Sequence, residues 1–151
     1  MLVEETIINY IAGVERSIPG VLDSFNYAKN PDSLTRWPVV VHYIPNFQMP
    51  QMAFHNKWDE VMTVSSILFV KPRQQAGGRI AYLENEAIPF AQKWRAKWQD
   101  HDVINSALST MGARKAFLTS GAYGVGSGGN LLDYGGVSFI GWIFQYVIAT
   151  A

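Results

Sequence analysis

The chain contains no cysteine, which excludes disulfides and thiolate metal sites. Charge is scarce. Asp, Glu, Lys and Arg make up 16% of the 151 residues, well below the usual quarter. Twelve basic side chains balance twelve acidic ones, so the basic footprint of a sequence-reading nucleic-acid binder is missing. The three histidines, His42, His55 and His101, are not paired at helical or strand spacing, so no zinc pattern forms. Each is expected to be structural. The apolar stretch Val137 to Ala151 is interrupted by Ser138, Gln145 and Thr150 and is too short to span a bilayer. Met1 to Glu5 holds two acids and no basic residue, so a secretory signal is not expected.

Catalytic patterns are equally thin. No serine sits in a nucleophile elbow. Glu84 and Glu86 are two apart on an expected helix and face different ways. Asp100 and Asp102 flank His101 in the manner of a cap or solvated turn. Neither pair has a nucleophile or metal partner, so no enzyme activity, no cofactor and no metal is expected.

Aromatic residues are plentiful by contrast, at 13% with five Trp. Together with the low charge, this favours surface buried against partners, because interface cores are depleted of charge and rich in Trp and Tyr. The length is that of one domain, residues 1–151, large enough to bury a core without staples.

Hydrophobic periodicity predicts the elements. Glu4 to Arg16 reads as a helix with Ile7, Ile8, Ile11 and Val14 on one stripe, ended by Pro19-Gly20. Val21 to Tyr27 reads as a short strand, and Asn30 to Ser33 as a turn. Val39 to Ile44 reads as a strand with both faces covered, closed by Pro45. Asn46 to Lys57 reads as a loop or the arms of a hairpin. Trp58 to Lys71 is the strongest strand. Val61, Ile67 and Phe69 lie on one face, and Trp58, Met62, Val64, Leu68 and Val70 on the other. Gly77 to Asp100 reads as the main helix, with Ile80, Leu83, Ala87, Phe90, Trp94 and Trp98 in phase and a kink at Pro89. Val103 to Met111 follows as a short helix stopped by Gly112. Lys115 to Ser120 and Val137 to Ala149 read as strands, with a patternless glycine-rich loop, Gly121 to Gly136, between them.

That loop carries Gly124, Gly126 and Gly129 at the G-x-G-x-x-G spacing. The motif needs a helix opening directly after it. Here Asn130 to Gly136 follows, with no acid about twenty residues on for a ribose. A connection between strands, its glycines supplying positive φ, is the better reading.

The closing strand is the most informative element. Val137, Phe139, Ile143 and Val147 lie on one face, and Ile140, Trp142, Phe144, Tyr146 and Ile148 on the other. A strand with one wet face alternates with polar residues, and this one does not. The chain's helices can cover one face. The face with Trp142, Phe144 and Tyr146 is expected to need a second cover, from another layer or a neighbouring subunit.

The element order and several local features carry a resemblance. They are Ser17-Ile18-Pro19-Gly20-Val21 after the first helix and Trp37-Pro38-Val39-Val40-Val41 opening a strand. Asp102 to Leu108 follows the main helix, and Tyr134 to Trp142 opens the last strand. Over nearly its whole length the pattern resembles the tail terminator proteins of tailed bacteriophages, and more loosely the related neck and tail-completion proteins. The resemblance implies a single α+β domain, in which a mixed or antiparallel sheet of about four to five strands packs on two main helices with a long β-hairpin. It implies a homo-oligomeric ring, usually a hexamer, in the virion tail or neck, assembled in the host cytoplasm. Such a ring caps the tail tube protein, stops polymerisation and meets the head–neck connector or stopper protein. DNA passes through the lumen without being read, and no membrane is involved. The family offers no catalytic residues to carry over. For the subunit contact, the segments Asn46 to Lys57 and Trp58 to Lys71 are expected, with Phe47, Phe54, Trp58, Met62, Val64, Trp142, Phe144 and Tyr146 as its residues. The alternatives are another neck component, such as a stopper or head-completion protein, and a small-molecule-binding domain using the aromatic faces as a pocket wall.

Overall fold

A computed structural model of the chain describes residues 1–26, 36–49, 59–73, 85–99 and 104–151. Helix α1 (Glu4–Glu15) leads into β1 (Asp23–Ser24), β2 (Val39–Gln48) and β3 (Val61–Pro72). Helices α2 (Pro89–Gln99) and α3 (Ser106–Thr110) follow, then β4 (Lys115–Val125), β5 (Asp133–Tyr134) and β6 (Val137–Ala149). The fold is α+β, with a six-stranded mixed sheet in the order β1-β2-β3-β6-β4 and β5 pairing β6. Among the described residues β1 and β2 run parallel and the other pairs are antiparallel.

The sheet is built around β6, which is paired along most of its length with β3 on one side and β4 on the other. Its alternate residues feed two clusters. Ile140, Phe144, Tyr146 and Ile148 join Val40, Val64 and Leu68 beneath α1 and α2, against Ile7, Ile8, Ile11, Phe90, Trp94 and Trp98. Phe139 points the other way and joins Val39, Val41, Ile67, Phe69 and Leu132. Among the described residues that second cluster covers one end of the sheet. It is roofed by Leu132 and Tyr134 from the turn before β6, and by Trp37.

Local chemistry sets the element ends. Glu4 and Glu5 occupy the first turn of α1, where the helix dipole favours acids. Gly20 then turns the chain at φ 95°. The Asn105 side chain caps α3 by accepting from the Leu108 N–H at 2.8 Å, and Gly112 at φ 84° stops it, as its position predicts. Trp37-Pro38 is a cis peptide bond.

Four boundaries differ from the sequence reading. Pro45 does not close β2; the strand runs on to Gln48 across an irregularity between Tyr43 and Asn46, where a bulge accommodates the missing N–H. Only Asp23 and Ser24 of the expected Val21 to Tyr27 strand pair with β2. The glycine-rich stretch is not patternless. Its first five residues extend β4 to Val125, and Gly135-Gly136, at φ 60° and 80°, turn β5 into β6 as a tight hairpin. The expected turn at Asn30 to Ser33 and the 50–58 and 77–84 segments lie outside the described residues.

The packing of β3 on β6 leaves no room at Gly141. A Cβ there would lie 1.8 Å from the Leu68 carbonyl oxygen. Gly13, in α1, has nothing within 4 Å of a Cβ. Gly141→Ala is therefore expected to cost at least the roughly 1–3 kcal/mol of an overpacked core, because backbone must move. Gly13→Ala is expected to be neutral or to stabilise by up to about 1 kcal/mol. Denaturant unfolding of both variants checks the contrast.

Candidate functional site

The most concentrated polar chemistry lies beneath α1, inside the apolar layer. Ile8, Ile11 and Glu15 are in helical phase, so the stripe that buries the two isoleucines also carries Glu15 into the core. Its side chain is fully buried. β2 brings His42 to the same place through the alternation that buries Val40, and β6 brings Tyr146. All three are shielded from solvent.

The hydrogen bonds form one consistent set. Glu15 Oε1 meets His42 Nε2, and His42 Nδ1 meets the Phe25 carbonyl oxygen. A carboxylate and a carbonyl are both acceptors, so the two contacts are satisfied in full when the ring carries both protons. Burial alone pushes the His42 pKa down. The Glu15 charge, its hydrogen bond and the Phe25 carbonyl outweigh that, and the net shift is upward. Tyr146 donates its hydroxyl hydrogen to Glu15 Oε2 at 2.8 Å. The Tyr146 hydroxyl oxygen in turn accepts from Trp94 Nε1 at 2.8 Å and Trp98 Nε1 at 3.1 Å. Burial and the Glu15 charge hold the Tyr146 phenol well above its ordinary pKa. Next to the cluster, Arg16 donates to the Ser24 carbonyl oxygen through Nε at 3.0 Å and Nη2 at 2.6 Å.

This geometry joins four elements at one carboxylate. The indoles that donate to Tyr146 also pack on the sheet. Trp94 stacks on Phe144, centroids 4.4 Å apart and 6° from parallel, and Trp98 meets Tyr146 edge-on at 5.1 Å. Both Glu15 oxygens and both His42 nitrogens are taken up within the chain. The arrangement ties α1 and α2 to β2 and β6, and leaves these groups nothing to offer a substrate.

The structure redistributes the residues expected at the subunit contact. Phe144 and Tyr146 are buried by this chain's own helices, at 2% and 1% exposure. They do not need a second cover, and this corrects the expectation for that face. Met62 and Val64 are buried in the same cluster. Trp142 is half-buried, stacked beside Phe144, with its Nε1 donating to the Ala87 carbonyl oxygen at 2.8 Å. Of the expected residues that are described, Phe47 stays open, 62% exposed, beside an apolar depression lined by Met1, Leu2, Met49 and Met62. Phe54 and Trp58 lie outside the described residues, as do His55 and His101.

The open surface is instead the opposite face of the sheet. Ile143, Gln145 and Val147 of β6 and Thr63 of β3 are only half-buried there, and Phe117 of β4 is 46% exposed. Among the described residues no helix packs over this part. Gly124 and Gly126 belong to the end of β4 and its turn, where the Gly126 N–H donates to the Phe139 carbonyl oxygen at 2.8 Å. Among the described residues, no group of three or more His, Asp or Glu side chains forms a metal cluster, and no helix is long and apolar enough to cross a membrane. Of the paired carboxylates, Glu86 bonds Lys71 Nζ at 2.9 Å. No protein-family model matches the chain, and comparison with curated proteins finds no match.

His42, expected from the sequence to be structural, has both ring nitrogens bonded inside the core, and its partner Glu15 was passed over in the sequence. The available signal was a carboxylate in phase with Ile8 and Ile11, which asks for a buried partner.

Removing one partner of a buried pair leaves a charge unpaired and costs about 3–5 kcal/mol. Glu15→Leu and His42→Leu singly are each expected in that range. The double variant is expected to lose less than the two singles summed, as a double-mutant cycle by denaturant unfolding will read. Because the folded His42 pKa is raised, its stabilisation is complete below about pH 6.5 and is lost as pH rises through the folded value. Wild-type stability is expected to carry that falling component, and His42→Leu to lack it.

Proposed function

We propose that this chain is a structural subunit of a tailed-phage virion, of the tail terminator kind. It forms a ring that caps the tail tube, ends tail polymerisation and joins the tail to the head–neck connector. The observation that carries this reading is the one-sided sheet. Both main helices lie on one face, while the other presents Thr63, Phe117, Ser120, Ala122, Ile143, Gln145 and Val147 at least partly exposed.

That face mixes apolar residues with Thr63, Ser120 and Gln145, and Lys115 at its end is the one charged residue between Lys115 and Val125. A neutral, partly apolar sheet face suits burial between like subunits. Turned towards a lumen, it also suits the passage of DNA, because affinity for the duplex comes chiefly from Lys and Arg meeting phosphate. The closed polar network under α1 fits a scaffold, since it spends its ionisable groups on holding elements together. A head-to-tail contact of this kind closes into a ring when its rotation allows.

Purified protein mixed with tail tube protein, viewed by negative-stain electron microscopy, tests the reading. Rings seated on tube ends are expected, and disruption of the gene is expected to give overlong or headless tails. A chain that stays monomeric in the presence of tubes, with tails of normal length in its absence, would sink the proposal.

A further inference from the structure

The two edges of the sheet are built differently. At one edge, β1 has two residues, and β2 beside it contains Pro45. Short strands and prolines are the ordinary ways of blunting an edge. At the other edge stands β4, eleven residues long. It has no proline, and Lys115 at its first position is its only charge. Among the described residues no strand lies outside it. Thr119, Ser120, Gly121 and Ala122 at its middle are exposed and small, so a second backbone can approach. An unpaired backbone row of this length selects an extended strand as its partner.

The sequence of β4 indicates which strand. A register shift between Leu118 and Ser120 leaves Thr119 as an extra residue. Ala116, Leu118, Gly121, Tyr123 and Val125 therefore share the helix-side face, and Lys115, Phe117, Ser120, Ala122 and Gly124 the free face. We propose that β4 pairs antiparallel with β4 of a second copy about a two-fold axis at Ser120. With Thr119 bulged in both strands, Leu118 then faces Gly121, Phe117 faces Ala122, Ala116 faces Tyr123 and Lys115 faces Gly124 of the second copy. Every pair lies on one face, as a ladder requires. Each large residue meets a small one, and the two lysines sit at opposite ends. Phe117, half exposed in one copy, gains a cover. The contact is isologous and closes at two copies. It uses the edge of the sheet and not its free face, so it stands or falls separately from the ring.

The absence of native cysteine makes the register directly readable. Under mild oxidation Ser120→Cys is expected to form a disulfide-linked dimer, while Ala122→Cys alone stays unlinked. An equimolar mixture of Ala122→Cys and Phe117→Cys is expected to cross-link. Sedimentation of the wild type is expected to show a concentration-dependent dimer. Thr119→Lys/Ala122→Lys is expected to revert to monomer with its secondary structure by circular dichroism retained, since both positions are exposed and the side-chain hydrogen bond lost is that of Thr119 Oγ1 to the Gln145 carbonyl oxygen. A wild type monomeric at all concentrations, a dimer indifferent to the two lysines, or linkage of Ala122→Cys in place of Ser120→Cys would overturn the pairing.

Discussion

A carboxylate taken out of water must be answered in full, and much of this fold converges on the answer given to Glu15. The helix that carries Glu15 is held to β2 through His42 and to β6 through Tyr146. Tyr146 in turn receives the indole N–H groups of Trp94 and Trp98, which fixes α2. The chain thus builds one closed helix-bearing face from a few directional contacts set among apolar ones. The proton count is consistent throughout when the imidazole carries both protons and donates twice and a neutral phenol donates once.

Closing that face decides where association has to occur. The aromatic rings that read in sequence as a docking surface are consumed internally, Phe144 by Trp94 and Tyr146 by Trp98. What is left is less showy: a neutral sheet face with half-buried aliphatic residues, and a long small-residue edge at β4. Low charge content is then explained by position, because charged residues are scarce on the elements left open.

Much of the architecture was legible in the chain itself. The stripe Ile7, Ile8, Ile11 and Val14 located α1, the phase of Phe90, Trp94 and Trp98 located α2, and the two-faced run from Val137 located β6 to the residue. These are periodic signals, and periodicity survives tertiary context. Which face of β6 the helices cover was not legible, because alternation defines two faces without saying which receives a helix. Glu15 was missed for a related reason: a charge at a helix end reads as solvated unless its buried partners, 27 and 131 residues away, are known. Pro45 misled because a bulge removes the need for its N–H, and the Gly135-Gly136 hairpin was obscured by the glycines around it.

Backbone amide exchange, compared between dilute and associated protein, addresses the central claim that the helix face is closed within one chain and association uses the rest. The account predicts new protection on β4 and on the strands of the free face around Thr63, Gln145 and Val147, with α1 and α2 unchanged. Protection gained instead by α1 and α2, with β4 exchanging as before, would contradict it.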